Sequence, residues 1–282
     1  MVVREALKRV PPLPMVLLAI VSVQFGSSFA KDLFSASTPV TVVWLRLLAA
    51  AVVLAVVARP RVRGRTASDW WLVTAYGTCL WVMNLTFYLA IERIPVGLAV
   101  TLEFLGPLGV AVAHSRRVRD YLWVALAAGG VLLLGFKPGA LDPIGVVLAL
   151  AAASMWAGYI LLSKPTGARF DGVTAVTIAN WQGVIALTPV VLIAGILPTQ
   201  PQVWAIGLAV GVLSSVIPYG LEMIALRRME PGLFGILMSL EPAAAALTAL
   251  VVLGEQLSLA EVAAMVCVMA ASVGATRSSR AS

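Results

Sequence analysis

The sequence predicts an all-α membrane protein of ten transmembrane helices, arranged as two inverted five-helix repeats with both termini cytoplasmic. Three observations predict it: an apolar composition, an alternation of Lys and Arg between short loops, and a self-alignment at a spacing of 135 residues. Of the 282 residues, 61% are hydrophobic and 12% charged, against about 25% charged in soluble domains. Runs of about 17 to 25 apolar residues read as spans. They fall at 13–33, 38–58, 70–90, 95–113, 120–136, 143–163, 172–195, 202–225, 231–253 and 258–275. The connections are too short for a soluble domain. The first span follows a basic stretch, as a secretory signal would. Its apolar run continues past Gln24 to Phe34 without a small-residue cleavage motif, so it is expected to remain as a helix.

Sidedness follows from the basic residues. With the N-terminus inside, the inner segments hold Arg4, Lys8, Arg9, Arg59, Arg61, Arg63, Arg65, Arg116, Arg117, Arg119, Lys164, Arg169, Arg227, Arg228, Arg277 and Arg280. The outer loops hold only Lys31, Arg93 and Lys137, and Arg46 lies inside a span. The net charge of +7 is thus explained by membrane orientation. A nucleic-acid surface would need these residues gathered on one face of a soluble domain.

Sliding the chain by 135 residues sets AIERIPVGLAVTLEFLGP (Ala90 to Pro107) on ALRRMEPGLFGILMSLEP (Ala225 to Pro242), with seven identities in eighteen positions. Asp120 then meets Glu255. Five helices per half, an odd number, make the second copy enter the membrane in the opposite sense. The halves are read as 1–140 and 141–282. Inverted repeats of this kind place a transport site near the bilayer midplane between them.

Four ionisable groups sit at membrane depth: Arg46, Glu103, Glu222 and Glu241. Each costs about 2.5 to 3.5 kcal/mol at a span centre, so all four are expected to be sheltered. Glu103 aligns with Met238 and Glu241 with Gly106, so the carboxylates sit three residues apart relative to a shared Pro107/Pro242. Polar and aromatic stripes at helical spacing accompany them. These are Gln24, Ser27 or Ser28 and Lys31; Trp81, Asn84 and Tyr88; Trp156, Tyr159 and Ser163; and Ser215, Tyr219 and Glu222. The stripes either line one cavity or serve as interhelical bonds and interfacial anchors. Pro107, Pro218 and Pro242 are expected to bend or locally unwind their spans.

Other chemistries find little to work with. Cys79 and Cys267 both fall inside apolar segments, which implies no disulfide framework. The single histidine, His114, has no second ligand at metal-binding spacing. No phosphate-cradling GxxxxGK[ST] loop and no filter sequence is present. Neither a cofactor nor a metal is expected, and an enzyme or a passive channel is the weakest reading.

The segments QFGSSFAKDLF, MNLTFYLAIERIPVGLAVTLEFLGPLGVAV, SRRVRDYLWVALA, MWAGYILLS, IPYGLEMIAL and GILMSLEPAAAA with LGEQLS carry a family resemblance over most of the chain. It resembles the EamA-type branch of the drug/metabolite transporter superfamily, and within it bacterial inner-membrane exporters of threonine and homoserine. The resemblance implies a ten-helix fold and export of small neutral amino acids at the expense of the proton gradient. A zwitterion needs a cation for its carboxylate and an anion for its ammonium. The expected substrate-binding residues are therefore Arg46, Asn84, Tyr88, Glu103, Trp156, Tyr159, Tyr219, Glu222 and Glu241, with Glu103, Glu241 and Glu222 as candidates for proton coupling. Asn84, Tyr88 and Tyr219 are the expected readers of a substrate hydroxyl. A multispecific exporter of the same fold, stacking its cargo on the Trp and Tyr stripes, is the alternative. The sequence leaves open whether the protein acts alone or as a homodimer.

Overall fold

The structure, a computed structural model, describes residues 11–60, 63–113, 120–135, 141–170, 172–226 and 228–280. His114 and the basic residues Arg4, Lys8, Arg9, Arg61, Arg116, Arg117, Arg119, Lys137 and Arg227 lie outside the described residues. Within them the chain is helical throughout: α1 (Pro12–Asp32), α2 (Pro39–Ala58), α3 (Ala67–Ile91), α4 (Val96–Glu103), α5 (Leu105–Ala113), α6 (Asp120–Gly135) and α7 (Pro143–Arg169) come first. There follow α8 (Gly172–Ile193), α9 (Pro201–Gly211), a π-helical turn (Val212–Val216), α10 (Ile217–Leu226), α11 (Pro231–Met238), α12 (Glu241–Leu253) and α13 (Leu259–Arg280).

Local chemistry accounts for where these helices start and stop. Pro12, Pro39, Pro143, Pro201 and Pro231 each open a helix, where a missing N–H costs nothing. Thr38 caps α2 by accepting from the Thr41 amide. Thr66 and Asp69 form a reciprocal capping box at α3. Asp142 accepts from the Ile144 and Gly145 amides at α7. At the other end of α12, Gly254 turns left-handed at φ 69°.

Nine helical stretches among the described residues are long and apolar enough to cross a membrane. Four of them combine elements: Pro12–Ser35 (α1 with the 3-10 turn Leu33–Ser35), Val96–Ala113 (α4 and α5), Pro201–Glu222 (α9 through most of α10) and Leu233–Leu253 (most of α11, with α12). The span expected at 120–136 is α6, whose apolar stretch Tyr121–Leu132 is shorter. Its 16 described residues rise about 24 Å, against a hydrocarbon core of about 30 Å, and the residues on either side of them lie outside the described ones. Val56, Trp71, Ile185, Ile193 and Val251 are exposed. An exterior this apolar belongs in lipid, and the protein is a multi-pass membrane protein.

Prolines mark the irregularities. Pro107 follows the break at Phe104 between α4 and α5, and Pro242 follows the break at Ser239 and Leu240 between α11 and α12. A proline cannot donate to the residue four before it, and its ring crowds that carbonyl. Pro218 acts the same way on Ser214, inside the π turn. There the Ile217 amide reaches back five residues to the Val212 carbonyl.

In the packed bundle, α3 lies against α7 and α8, and α1 against α10, α12 and the π turn. Helix α2 packs on α8 and α9, α4 on α7 and α12, α5 on α7, and α6 on α13. The contact of α9 with α2 depends on Gly211: a Cβ there would meet the Arg46 carbonyl oxygen and the Ala49 Cβ, each at 2.6 Å. Gly211→Val is expected to push the helices apart and destabilise the fold by about 1–3 kcal/mol. Thermal unfolding in detergent reads this directly, and an unchanged melting temperature would refute it.

Candidate functional site

Arg46 enters the bundle interior from the middle of α2 and is only 8% exposed. Its Nε donates to Ser215 Oγ at 3.2 Å, its Nη1 to Tyr88 Oη at 3.1 Å, and its Nη2 to the Ser214 carbonyl at 3.2 Å. The guanidinium carbon also stands 5.3 Å from the centre of the Tyr88 ring. The Ser214 carbonyl is available because Pro218, four residues on, has no N–H to give it. The local sequence of α10 therefore creates the acceptor that fixes Arg46 on another helix. All three partners are neutral. No acidic side chain pairs with Arg46 within 4 Å among the described residues, so a buried positive charge is held in place without being neutralised.

A cavity of about 160 Å³ lies against this arginine. Arg46, Asn84, Glu103, Trp156, Tyr159, Tyr219, Glu222 and Glu241 line it, contributed by α2, α3, α4, α7, α10 and α12. Glu103 is the last residue of α4 and Glu241 the first of α12, so both carboxylates sit at the proline-associated breaks. Of the nine expected binding residues, Tyr88 alone is not among the lining: it is wholly buried behind Arg46 and holds it. Asn84 lines the cavity while its Nδ2 donates to the Leu80 carbonyl at 2.8 Å. Phe104 and Trp156 meet edge to face at 5.2 Å, and Tyr159 packs on Tyr76 at 4.9 Å, which sets the aromatic wall.

Sequence reading left out the lining residues Val23, Met83, Phe87, Val100, Ser214 and Met238; it placed Gln24 and Ser27 in a stripe and Pro218 at a bend by the cavity, but none of these three among the binding residues. The apolar ones carry no signal that distinguishes them from core. Met238 could have been found, since the 135-residue alignment pairs it with Glu103. Gly106, the counterpart of Glu241, instead packs against the Ala153 backbone. Of the other stripe members, Ser163 donates to the Tyr159 carbonyl and Ser28 to Thr248.

Lys31 belongs to a different feature. It pairs with Glu255 and donates to the Ile94 carbonyl at 2.8 Å, while the second Glu255 oxygen accepts from the Val96 amide at 2.9 Å. This clasp ties the end of α1, the start of α4 and the segment between α12 and α13. Two further pairs are more exposed. Arg93 meets Asp142 at 3.0 Å, and its guanidinium, with the Ile144 and Gly145 amides, holds that carboxyl below the usual carboxylate range. Arg169 meets Asp69 at 3.1 Å.

A larger and more open hollow of about 660 Å³ lies elsewhere, lined mainly by Trp123, Leu240, Val266, Met269, Ala270 and Val273. Its one buried hydroxyl, on Ser239, is already bonded to Ser272 Oγ at 2.8 Å. The smaller cavity gathers an arginine and three carboxyl groups, whereas the larger has a single charged lining residue, Arg277, and no carboxyl group to converge with it, so the smaller is the candidate site.

Residues 143–277 match the EamA-like transporter family. Over 283 aligned positions the chain is 40% identical to the threonine/homoserine exporter RhtA of Escherichia coli K12, spanning 96% of this chain and 94% of that protein. The chain belongs to the EamA-like transporter family. The RhtA of Salmonella typhimurium LT2 is likewise 40% identical, over 94% of this chain and 91% of its own length. An uncharacterized transporter of Bacillus subtilis, YvbV, is 27% identical over 57% of each chain. A crystal structure only 20% identical superposes with a TM-score of 0.63 over 95% of this chain and 98% of its own, which shows a common fold. This EamA-like protein is therefore a transporter and not an enzyme. Its cavity brings together one hydrogen-bonded cation, three carboxyl groups and an aromatic wall.

Proposed function

We propose that this transporter exports small neutral amino acids of the threonine and homoserine kind across a bacterial inner membrane, driven by protons and working by alternating access. The observation that carries the reading is the cavity itself, where Arg46 and three carboxyl groups face about 160 Å³ with no ion pair between them. Arg46 takes the carboxylate of a zwitterion, and one of Glu103, Glu222 and Glu241 takes its ammonium. The remaining carboxyl groups carry the proton. The names of the 40%-identical relatives support the same substrate class. Drug-sized ligands occupy pockets of about 300–1,000 Å³, so the cavity favours a small amino acid over the cargo of a multispecific exporter.

The cycle needs two halves that rock, read here as inverted repeats 1–140 and 141–282 with α6 completing ten spans. Three features support this. The breaks at Phe104 and Ser239 are 135 residues apart, at aligned positions. Under the same shift the pairing of α3 with α7 matches that of α10 with α1, and the pairing of α1 with α12 matches that of α7 with α5. Arg93 with Asp142 and Lys31 with Glu255 each join segments assigned to the outer face, and Arg169 with Asp69 joins segments assigned to the inner face, with both termini cytoplasmic.

Reconstituted into proteoliposomes with an imposed pH gradient, the protein is expected to move labelled threonine about tenfold faster than without the gradient. Threonine movement indifferent to the gradient would refute proton drive. No movement of threonine or homoserine above empty vesicles would refute the substrate class.

A further inference from the structure

Arg46 and the carboxyl groups account for the two charged ends of an amino acid; of the expected hydroxyl readers, Tyr88 is engaged by Arg46 outside the lining and the Asn84 Nδ2 by the Leu80 carbonyl, while Tyr219 stands on the wall. Seven buried side-chain polar atoms have no hydrogen-bond partner among the described residues: Gln24 Oε1, Arg65 Nε, Trp81 Nε1, Thr166 Oγ1, Asn180 Oδ1, Gln182 Oε1 and Ser214 Oγ. Only Gln24 and Ser214 of these seven line the cavity. Gln24 is 1% exposed and Ser214 3%. A buried polar atom left unpaired is destabilising, so two on one small cavity point to a partner that arrives from outside the protein.

Their placement is built in. Gln24 lies in α1, which is tied to the π turn by the bond from Ser22 Oγ to the Leu213 carbonyl at 2.7 Å. Gly26 allows that approach: a Cβ there would fall 2.0 Å from Ser214 Oγ. Ser214 in turn holds Arg46 through its carbonyl, and both residues line the same cavity. In a cavity that already offers an arginine and three carboxyl groups for the charged ends, a neutral carboxamide and a hydroxyl are matched to a neutral polar group. A hydroxyl both donates and accepts, as a carboxamide and a serine do.

We propose that Gln24, assisted by Ser214, recognises the side-chain hydroxyl of the transported amino acid and so selects hydroxylated substrates over aliphatic ones of the same shape. This rests on the amino-acid export proposed above and adds the residues that set its selectivity. A site that hydrogen-bonds a substrate hydroxyl rejects an analogue lacking it far more strongly than an apolar pocket rejects an added hydroxyl.

The test compares labelled threonine with valine, which replaces the hydroxyl by a methyl group, in proteoliposomes normalised to the amount of folded protein. The wild-type protein is expected to favour threonine by about tenfold or more. Gln24→Leu is expected to reduce the threonine-to-valine ratio by at least about tenfold, with the valine rate unchanged or raised, and Ser214→Ala to shift it less in the same direction. Gln24→Met, which keeps the length without a polar group, replaces the leucine variant should that fail to accumulate. A ratio that survives in the Gln24 variant overturns the inference and leaves the export function standing. So does an equal fall in both rates, the mark of a packing role. A wild-type protein that moves neither threonine nor homoserine overturns the substrate reading, and this inference with it.

Discussion

Arg46→Lys is expected to lower threonine transport by about a hundredfold, although the charge is kept. The guanidinium reaches Ser215, Tyr88 and the Ser214 carbonyl with three different nitrogens. A lysine has its donors on one nitrogen and cannot serve three acceptors spread around a planar fork. Losing one partner of a buried, hydrogen-bonded charge pair costs about 2–5 kcal/mol, or roughly thirty- to several-thousand-fold. Arg46→Met, without a charge, is expected at background. Counterflow of labelled threonine in proteoliposomes measures both variants, and a lysine variant within about twofold of the parent would remove Arg46 from substrate binding.

Glutamine at the cavity carboxylates separates the two tasks given to them. Glu103→Gln and Glu241→Gln each keep shape and hydrogen bonding but can neither release a proton nor balance an ammonium. The variant that removes the proton carrier is expected to lose the response to a pH gradient, by about tenfold or more, while still exchanging threonine for threonine. The variant that removes the ammonium partner is expected to lose both. Glu222→Gln completes the set. If all three keep gradient-driven movement at the parental rate, none of these carboxyl groups carries the proton.

Charge was the legible part of the site. Arg46, Glu103, Glu222 and Glu241 stand out because an ionisable group in an apolar run is costly unless sheltered, and the aromatic members follow from helical spacing on α3, α7 and α10. Tyr88 shares its stripe with Asn84 but supports the arginine from behind, a distinction that depends on the depth of each side chain and not on its period. Ser214 escaped notice because sequence reading chose Ser215, one residue on, by assuming an unbroken α-helical period. The π turn adds a residue to the local repeat, so Ser215 bonds Arg46 and Ser214 lines the cavity. The breaks in α4–α5 and α11–α12 were readable from Pro107 and Pro242. The span at 120–136 was readable as well, and α6 ends within one residue of it among the described residues.

The clasp at Lys31 joins the rim of the molecule to its interior. Helix α4 has no side-chain cap of its own, and the amide of its first residue, Val96, is satisfied by Glu255 from the far end of the chain. The last residue of the same helix is Glu103. Eight residues of regular helix make a stiff rod about 12 Å long, with the Lys31 latch at one end and a cavity carboxylate at the other. Pulling Glu255 away would leave the Val96 amide at the head of this rod without its acceptor and Lys31 with the Ile94 carbonyl alone. The rim contact and the cavity carboxylate are thus the two ends of one short rigid element, with only about two turns of helix between them.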